Sequence, residues 1–214
     1  MKNLLNIASI VGLCLFLKAG TFRLDQIQMG ALDPEDENEA RINRLQPPDL
    51  VMDAFGIQPG MTVAEIGAGH GRFVVHLAIR VGPNGKVFAE DINETALNYL
   101  ARRCYRWYLD NVETILGEIS DPKLPKGQLD RIVIVLSYHH FEDPVALLEK
   151  ARGALKPDGR LAICEWVPLS GGEGTPPELL KKQMEAAGYA FERMETFLQR
   201  NGVILYLFRV DSGH

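Results

Sequence analysis

Glu65, Gly67, Gly69 and Gly71 recur at every second position of the stretch Val63-Ala64-Glu65-Ile66-Gly67-Ala68-Gly69-His70-Gly71-Arg72-Phe73. An apolar run ends in an acid, three glycines follow, and a helical pattern begins at once. Asp91 stands twenty residues after Gly71, at the end of a second apolar run, Val87-Phe88-Ala89. Glycine lets backbone approach a ligand where a Cβ would intrude. A carboxylate can accept two hydrogen bonds from a vicinal diol. Together they lay out a nucleoside-binding crevice at the C-terminal edge of a parallel sheet. His139 and His140 follow a third apolar run, where an imidazole can take or give a proton near neutral pH. Glu165 and Trp166 end a fourth.

The glycine spacing bears on which nucleoside is held. The dinucleotide fingerprint needs a third glycine three positions after the second, to let helix and strand pack closely. Counted from Gly69, that position is Arg72.

Alternating strand and helix patterns position these groups. Pro47-Pro48-Asp49 opens a lead-in helix carrying Leu50, Val51, Ala54 and Phe55. Strand one is Thr62 to Ile66, helix one Arg72 to Val81, and strand two Lys86 to Glu90. Asn93 caps a helix reaching about Leu109, and strand three is Val112 to Leu116. Strand four, Arg131 to Ser137, contains Ile132-Val133-Ile134-Val135-Leu136, a β-branched run suited to burial on both faces. A helix starts at Asp143-Pro144 and stops at Lys156-Pro157-Asp158-Gly159; strand five is Arg160 to Trp166. A glycine- and proline-rich loop spans Pro168 to Pro177, and the last helix is Leu179 to Gly188. Asn201-Gly202 between Phe191–Leu198 and Val203–Val210 predicts a terminal hairpin.

The 214 residues suit one domain. Of these, 46% are apolar and 24% charged, an ordinary globular balance. A net charge of −5 argues against a general nucleic-acid surface. Arg102, Arg103 and Arg106 share one helix and read as a solvated face. Met1-Lys2 precedes an apolar, uncharged run from Leu4 to Leu17, then Lys18 and small residues. Residues 1–20 therefore read as a signal peptide or an N-terminal membrane anchor. This predicts an exported, periplasmic or membrane-anchored protein, with a cytoplasmic-facing domain left open. Residues 21–45 read as a linker or N-terminal cap segment, and 46–214 as the domain. Cys104 and Cys164 could pair only if the fold joins them, and no metal-ligand spacing is present.

The pattern Glu65-x-Gly67-x-Gly69-x-Gly71 resembles motif I of class I S-adenosylmethionine-dependent methyltransferases. Lys86 to Ile92 resembles their motif II, Leu116-Gly117-Glu118 the turn after strand three, and Ser137 to Pro144 the strand-four motif. Lys156 to Leu161 resembles the turn before strand five. The resemblance spans Gly56 to Val210. It implies an α/β fold: a three-layer, doubly wound, seven-stranded sheet in the order 3-2-1-4-5-7-6, with strand seven antiparallel. It implies S-adenosyl-L-methionine as cofactor and S-adenosyl-L-homocysteine as product. Gly67, Ala68, Gly69, His70 and Gly71 would wrap the amino-acid end of the cofactor, and Glu65 would accept from its ammonium or from loop amides. Asp91 would take the ribose hydroxyls, Ile92 would cover the adenine, and Gly117, Glu118 and Ser137 would complete that site. Glu90 stands where the family usually has an apolar residue.

Methyl transfer by in-line displacement needs a base only when the acceptor must lose a proton. His139 or His140 could be that base or orient the acceptor, and Tyr138, Glu165 and Trp166 fall where a small-molecule acceptor would lie. For the histidines the plainer reading is that one packs under the loop and the other faces solvent, and for Glu165 and Trp166 plain core or rim packing is an equal alternative. Acceptor selectivity would come from Asp33 to Pro48 and Pro168 to Pro177. Two other functions stay in view: an NAD-dependent oxidoreductase on a related sheet, and a catalytically silent cofactor-binding protein.

Overall fold

A computed structural model describes residues 37–168 and 172–211. The export or anchor segment 1–20 and most of the 21–45 cap segment lie outside the described residues. Among those described, no helix is long and apolar enough to cross a membrane. Helix α1 (Glu37–Leu45) and helix α2 (Pro48–Ala54) lead in. Then come β1 (Thr62–Ile66), α3 (Arg72–Val81), β2 (Lys86–Asp91), α4 (Glu94–Arg106) and β3 (Val112–Leu116). β4 (Leu129–Val135), α5 (Pro144–Arg152), β5 (Leu155–Trp166), α6 (Pro177–Ala186), β6 (Tyr189–Glu195) and β7 (Val203–Val210) complete the order.

The seven strands pair in the order β3-β2-β1-β4-β5-β7-β6. β1 to β5 run parallel, and β7 is antiparallel to both β5 and β6. The α/β sheet expected from the sequence is therefore the one observed. β4 lies at its centre, and Ile132, Val133 and Ile134 are wholly buried. One face packs Val63, Val87, Val133 and Ala162 against Phe73, Leu77 and Leu100 of α3 and α4. The other packs Ile66, Ile132, Ile134 and Ile163 against Leu147, Leu148, Leu180 and Met184 of α5 and α6.

Several boundaries differ from the sequence reading, each for a local reason. β4 stops at Val135, because Leu136 takes a left-handed φ of 58° and turns the chain off the sheet. β5 begins at Leu155: Leu129 pairs with Leu155 and Arg131 with Arg160, so Lys156–Gly159 bulges out of a continuing strand. Asn201-Gly202 does not close a two-residue hairpin. β6 ends at Glu195, and a 3₁₀ turn at Gln199–Asn201 leads into Gly202 at φ 76°. Asn93 caps α4 as expected, its side chain accepting from the Ala96 N–H at 3.1 Å. Cys104 and Cys164 are both buried and both free.

Arg103 corrects the reading of α4 as a solvated basic face. Arg102 and Arg106 are exposed, but Arg103 is only 3% exposed. Its guanidinium takes both oxygens of Glu39 from α1, at 3.0 and 2.6 Å, and lies over the Trp107 ring. Arg72, the first residue of α3, donates to Asn43 Oδ1 and Gln46 Oε1 at 2.8 and 2.7 Å. Gln46 in turn donates to the Cys164 sulfur. Residues Glu39 to Gln46 are thus tied by polar contacts to the helices on either side of the glycine loop. Glu39→Ala would strand the Arg103 charge in the interior. It is expected to lower the unfolding free energy by about 3 kcal/mol in urea titrations, with part of the loss returning when Arg103→Met is added.

Candidate functional site

The three glycines of the loop after β1 all have positive φ, yet each answers a different requirement. At Gly67 (φ +75°) a Cβ would stand 2.6 Å from Ser137 Oγ. At Gly71 (φ +83°) it would strike Leu100 at 2.1 Å, so this glycine serves the packing of α3 on α4. At Gly69 (φ +53°) nothing lies within 4 Å: a side chain there would enter open space. The loop is suspended from the end of β2. The Gly67 and Ala68 N–H groups both donate to the Glu90 carbonyl, at 2.9 and 2.8 Å. The Gly69 N–H donates to Asp91 Oδ2 at 2.7 Å, and the Asn93 N–H to Asp91 Oδ1 at 2.8 Å. A carboxylate has four lone-pair sites, so Asp91 keeps accepting capacity after holding the loop.

Beside this loop opens a cavity of roughly 390 Å³, within the range of small-ligand sites. Ile66, Ile92, Ile119, Phe141 and Leu147 give it apolar walls. Glu90, Asp91, Glu118 and Glu142 also line it, and among the described residues no lysine or arginine does. Glu118 is ion-paired with Lys123 Nζ at 2.7 Å, and the lining stays acidic on balance, which favours a positively charged ligand over a pyrophosphate. Burial pushes the Glu90 carboxyl up to about 8, with the neighbouring Asp91 charge adding to the rise. Glu65, behind the loop, is also pushed up to about 8 by burial, against the opposing pull of Arg72. Its Oε2 is buried without a hydrogen-bond partner.

A family model described as a methyltransferase domain matches residues 57–205. The chain belongs to this family. It is 31% identical over 118 residues to a nocamycin O-methyltransferase from Saccharothrix syringae, an overlap of 55% of this chain and 42% of that protein. The chain thus spans less than half the length of that relative. A SAM-dependent methyltransferase structure from Aquifex aeolicus matches with a TM-score of 0.71 at 29% identity, covering 78% of this chain and 92% of that one. The structure of the [4+2]-cyclase SpnF matches with a TM-score of 0.66 at 14% identity, over 78% and 81% of the two chains. That last likeness concerns the fold alone.

Among the methyltransferase-type candidates, Gly67, Gly69, Asp91, Ile92, Glu118, Ser137 and His140 line the cavity. Ser137 Oγ donates to the Ile66 carbonyl at 3.2 Å. Ala68 is buried beneath the loop, and His70 is exposed, with its ring edge-on to Tyr99. Gly117 leaves room for a neighbour: a Cβ there would meet Glu90 Oε1 at 1.8 Å. Tyr138 does not line this cavity. It is buried in the core and its hydroxyl donates to Gln183 Oε1 at 3.0 Å, because the 3₁₀ turn Tyr138–His140 directs it onto α6. His139, Glu165 and Trp166 do not line it either. Glu165 is buried against His139, with Oε1 2.7 Å from Nδ1, and Trp166 is half-buried with its N–H bonded to the same oxygen.

Sequence reasoning missed Glu90, Ile119, Phe141, Glu142 and Leu147 as cavity walls. Glu90 carried a signal, being an acid inside an apolar strand. The others become walls only through the way α5 and the loop after β3 pack.

The elevated carboxyls set a pH dependence. In the unfolded chain Glu65 and Glu90 lose their protons near 4.5, but the folded protein holds them to about 8. Their contribution to stability is fully present below about 4.5 and is lost as pH rises through 8. The urea midpoint of the ligand-free protein should therefore fall between pH 5 and pH 8.5, and Glu90→Gln should flatten that slope. An unaltered slope in the variant would contradict the assignment.

Proposed function

We propose that this chain is an S-adenosylmethionine-dependent methyltransferase that transfers a methyl group by in-line displacement to a small-molecule acceptor. One observation carries the reading: an acidic cavity abuts a glycine loop whose amide is held by Asp91. The cofactor is a nucleoside with net positive charge, and this site suits such a charge. The glycine loop and Glu65 would hold its amino-acid end, Asp91 its ribose hydroxyls, and Ile92 with Glu118 its adenine. When bound, the cofactor supplies a methyl group activated by a sulfonium. The chain's task is then to fix acceptor and methyl in line and to exclude water, which can supply on the order of 7–11 kcal/mol in favourable cases.

The same charge speaks against the rival readings. A nicotinamide dinucleotide would bring two phosphates against a lining that includes the Asp91 and Glu142 carboxylates, and Arg72 occupies the position of the third fingerprint glycine. An acidic cavity on a chain of net charge −5 also disfavours nucleic-acid acceptors. A relative named as an O-methyltransferase supports the activity class, while the cyclase on the same sheet shows why fold alone would not. Export or membrane anchoring through residues 1–20 is proposed on the sequence pattern alone.

Isothermal titration of the full chain tests the proposal. S-adenosylmethionine and S-adenosylhomocysteine should bind and NAD should not. Asp91→Ala and Gly69→Val should each weaken binding roughly 100-fold, with circular dichroism showing that the variants are folded. Affinity for S-adenosylmethionine should rise from pH 6 to pH 9, as Glu65 and Glu90 ionise. It should rise less for S-adenosylhomocysteine, which lacks the sulfonium charge. Equal affinity in both folded variants would refute the site.

A further inference from the structure

Behind the cavity wall sits a carboxylate–imidazole pair. Glu165, the penultimate residue of β5, has a side chain 1% exposed, and His139, in the turn after β4, has one 9% exposed. Glu165 Oε1 lies 2.7 Å from His139 Nδ1 and also accepts the Trp166 N–H at 2.8 Å. Glu165 Oε2 is buried and has no hydrogen-bond partner among the described residues. The His139 ring centroid is 4.0 Å from that of His140, which lines the cavity, as does Ser137 on the other side of the turn. A carboxylate held this deep costs several kcal/mol in desolvation. A glutamine would tie β5 to the turn more cheaply.

We propose that Glu165 is a positioning residue that holds His139 as the proton acceptor for a hydroxyl-bearing substrate, an inference that rests on the methyltransferase reading above. With Nδ1 committed to Glu165, Nε2 is the ring nitrogen left to take a proton, the arrangement that lets a carboxylate fix an imidazole's tautomer and orientation. A built base distinguishes acceptor classes. A thioether or tertiary amine offers a free lone pair and needs none, whereas a hydroxyl must lose its proton as it is methylated. A protonated amine must also lose a proton before its nitrogen can attack, but it can do so to bulk solvent before it binds. The step balances as follows. The acceptor oxygen forms its bond to the methyl carbon while its proton passes to His139 Nε2. The carbon–sulfur bond breaks with its electron pair retained on sulfur, which becomes a neutral thioether. The imidazolium then returns the proton to solvent.

Two readouts on the full chain test this. The first needs no acceptor: nitrogen-15 NMR of the histidines should show the His139 proton on Nδ1, and Glu165→Gln should abolish that fixed tautomer. The second is transfer of labelled methyl from S-adenosylmethionine to a library of small phenols, catechols, enols, amines and thioethers. The wild type should methylate hydroxyl compounds. Glu165→Gln should lose about 100-fold or more in kcat with the Kd for S-adenosylmethionine unchanged, and Glu165→Asp should recover part of it. The proposal is overturned by an unchanged rate in Glu165→Gln, or by a His139 proton on Nε2. Transfer to amines or thioethers only, or cofactor binding without transfer to any hydroxyl compound, overturns it equally. Failure to bind S-adenosylmethionine at all would instead sink the methyltransferase reading, while the tautomer still decides the pairing.

Discussion

The loop after β1 has no regular structure of its own, and it keeps its shape because β2 ends beside it. One carbonyl, that of Glu90, takes the first two loop amides, and one carboxylate, that of Asp91, takes the third. Loop amides near a cavity must find partners or remain a liability. Here the partners are two consecutive residues of a neighbouring strand, fixed in turn by the register Ile66↔Glu90 and Asp91↔Leu116. The loop is consequently tied to the C-terminal end of β2. Asp91 holds the loop and also lines the cavity, so on the proposed reading it would serve as both scaffold and ligand group. Glu90 divides them, with its main chain supporting the loop and its side chain lining the cavity. Gly117 is the third member of this arrangement, since any side chain there would collide with Glu90.

A cost accompanies that geometry. Glu65, Glu90 and Glu165 all sit near the C-terminal ends of their strands, and burial pushes all three carboxyls up. Glu165 has His139 and the Trp166 N–H to oppose the rise, and Glu65 has the field of Arg72. Glu90 has the Gly67 amide to oppose it, but Asp91 and Asp121 act the other way. A cationic nucleoside would relieve what the protein leaves uncompensated, so strain in the ligand-free protein becomes selectivity for charge. The sheet could be built more stably with apolar residues at these positions, as most of its strand interior is.

Much of this was legible in the residues. Periodicity located the strands, because the cores of β1, β2, β4 and β5 are short apolar runs, and the motif I and II spacing located the loop and Asp91. What escaped was set by tertiary packing. The exit of β4 at Leu136 depends on a left-handed backbone that no leucine announces. The bulge at Lys156–Gly159 looks like a helix stop, since proline and glycine serve both purposes. Arg103 reads as solvated until Glu39 arrives from α1, sixty-four positions away. Glu165 and His139 were singled out separately, and only the pairing of β4 with β5, Val135 beside Cys164, brings them together.

The site therefore divides into halves with separate supports. The half proposed for the nucleoside rests on β1, β2 and β3, through the Glu90 carbonyl, Asp91 and Gly117. The half proposed for the acceptor rests on β4, β5 and α6: Tyr138 is tied to Gln183 of α6, and His139 to Glu165 of β5. His140, between that turn and the cavity, is the exposed member of the trio. Changes in α6 or at the end of β5 can reshape one half without disturbing the hydrogen bonds that hold the other. A sheet that keeps one cofactor while accepting different substrates needs this separation.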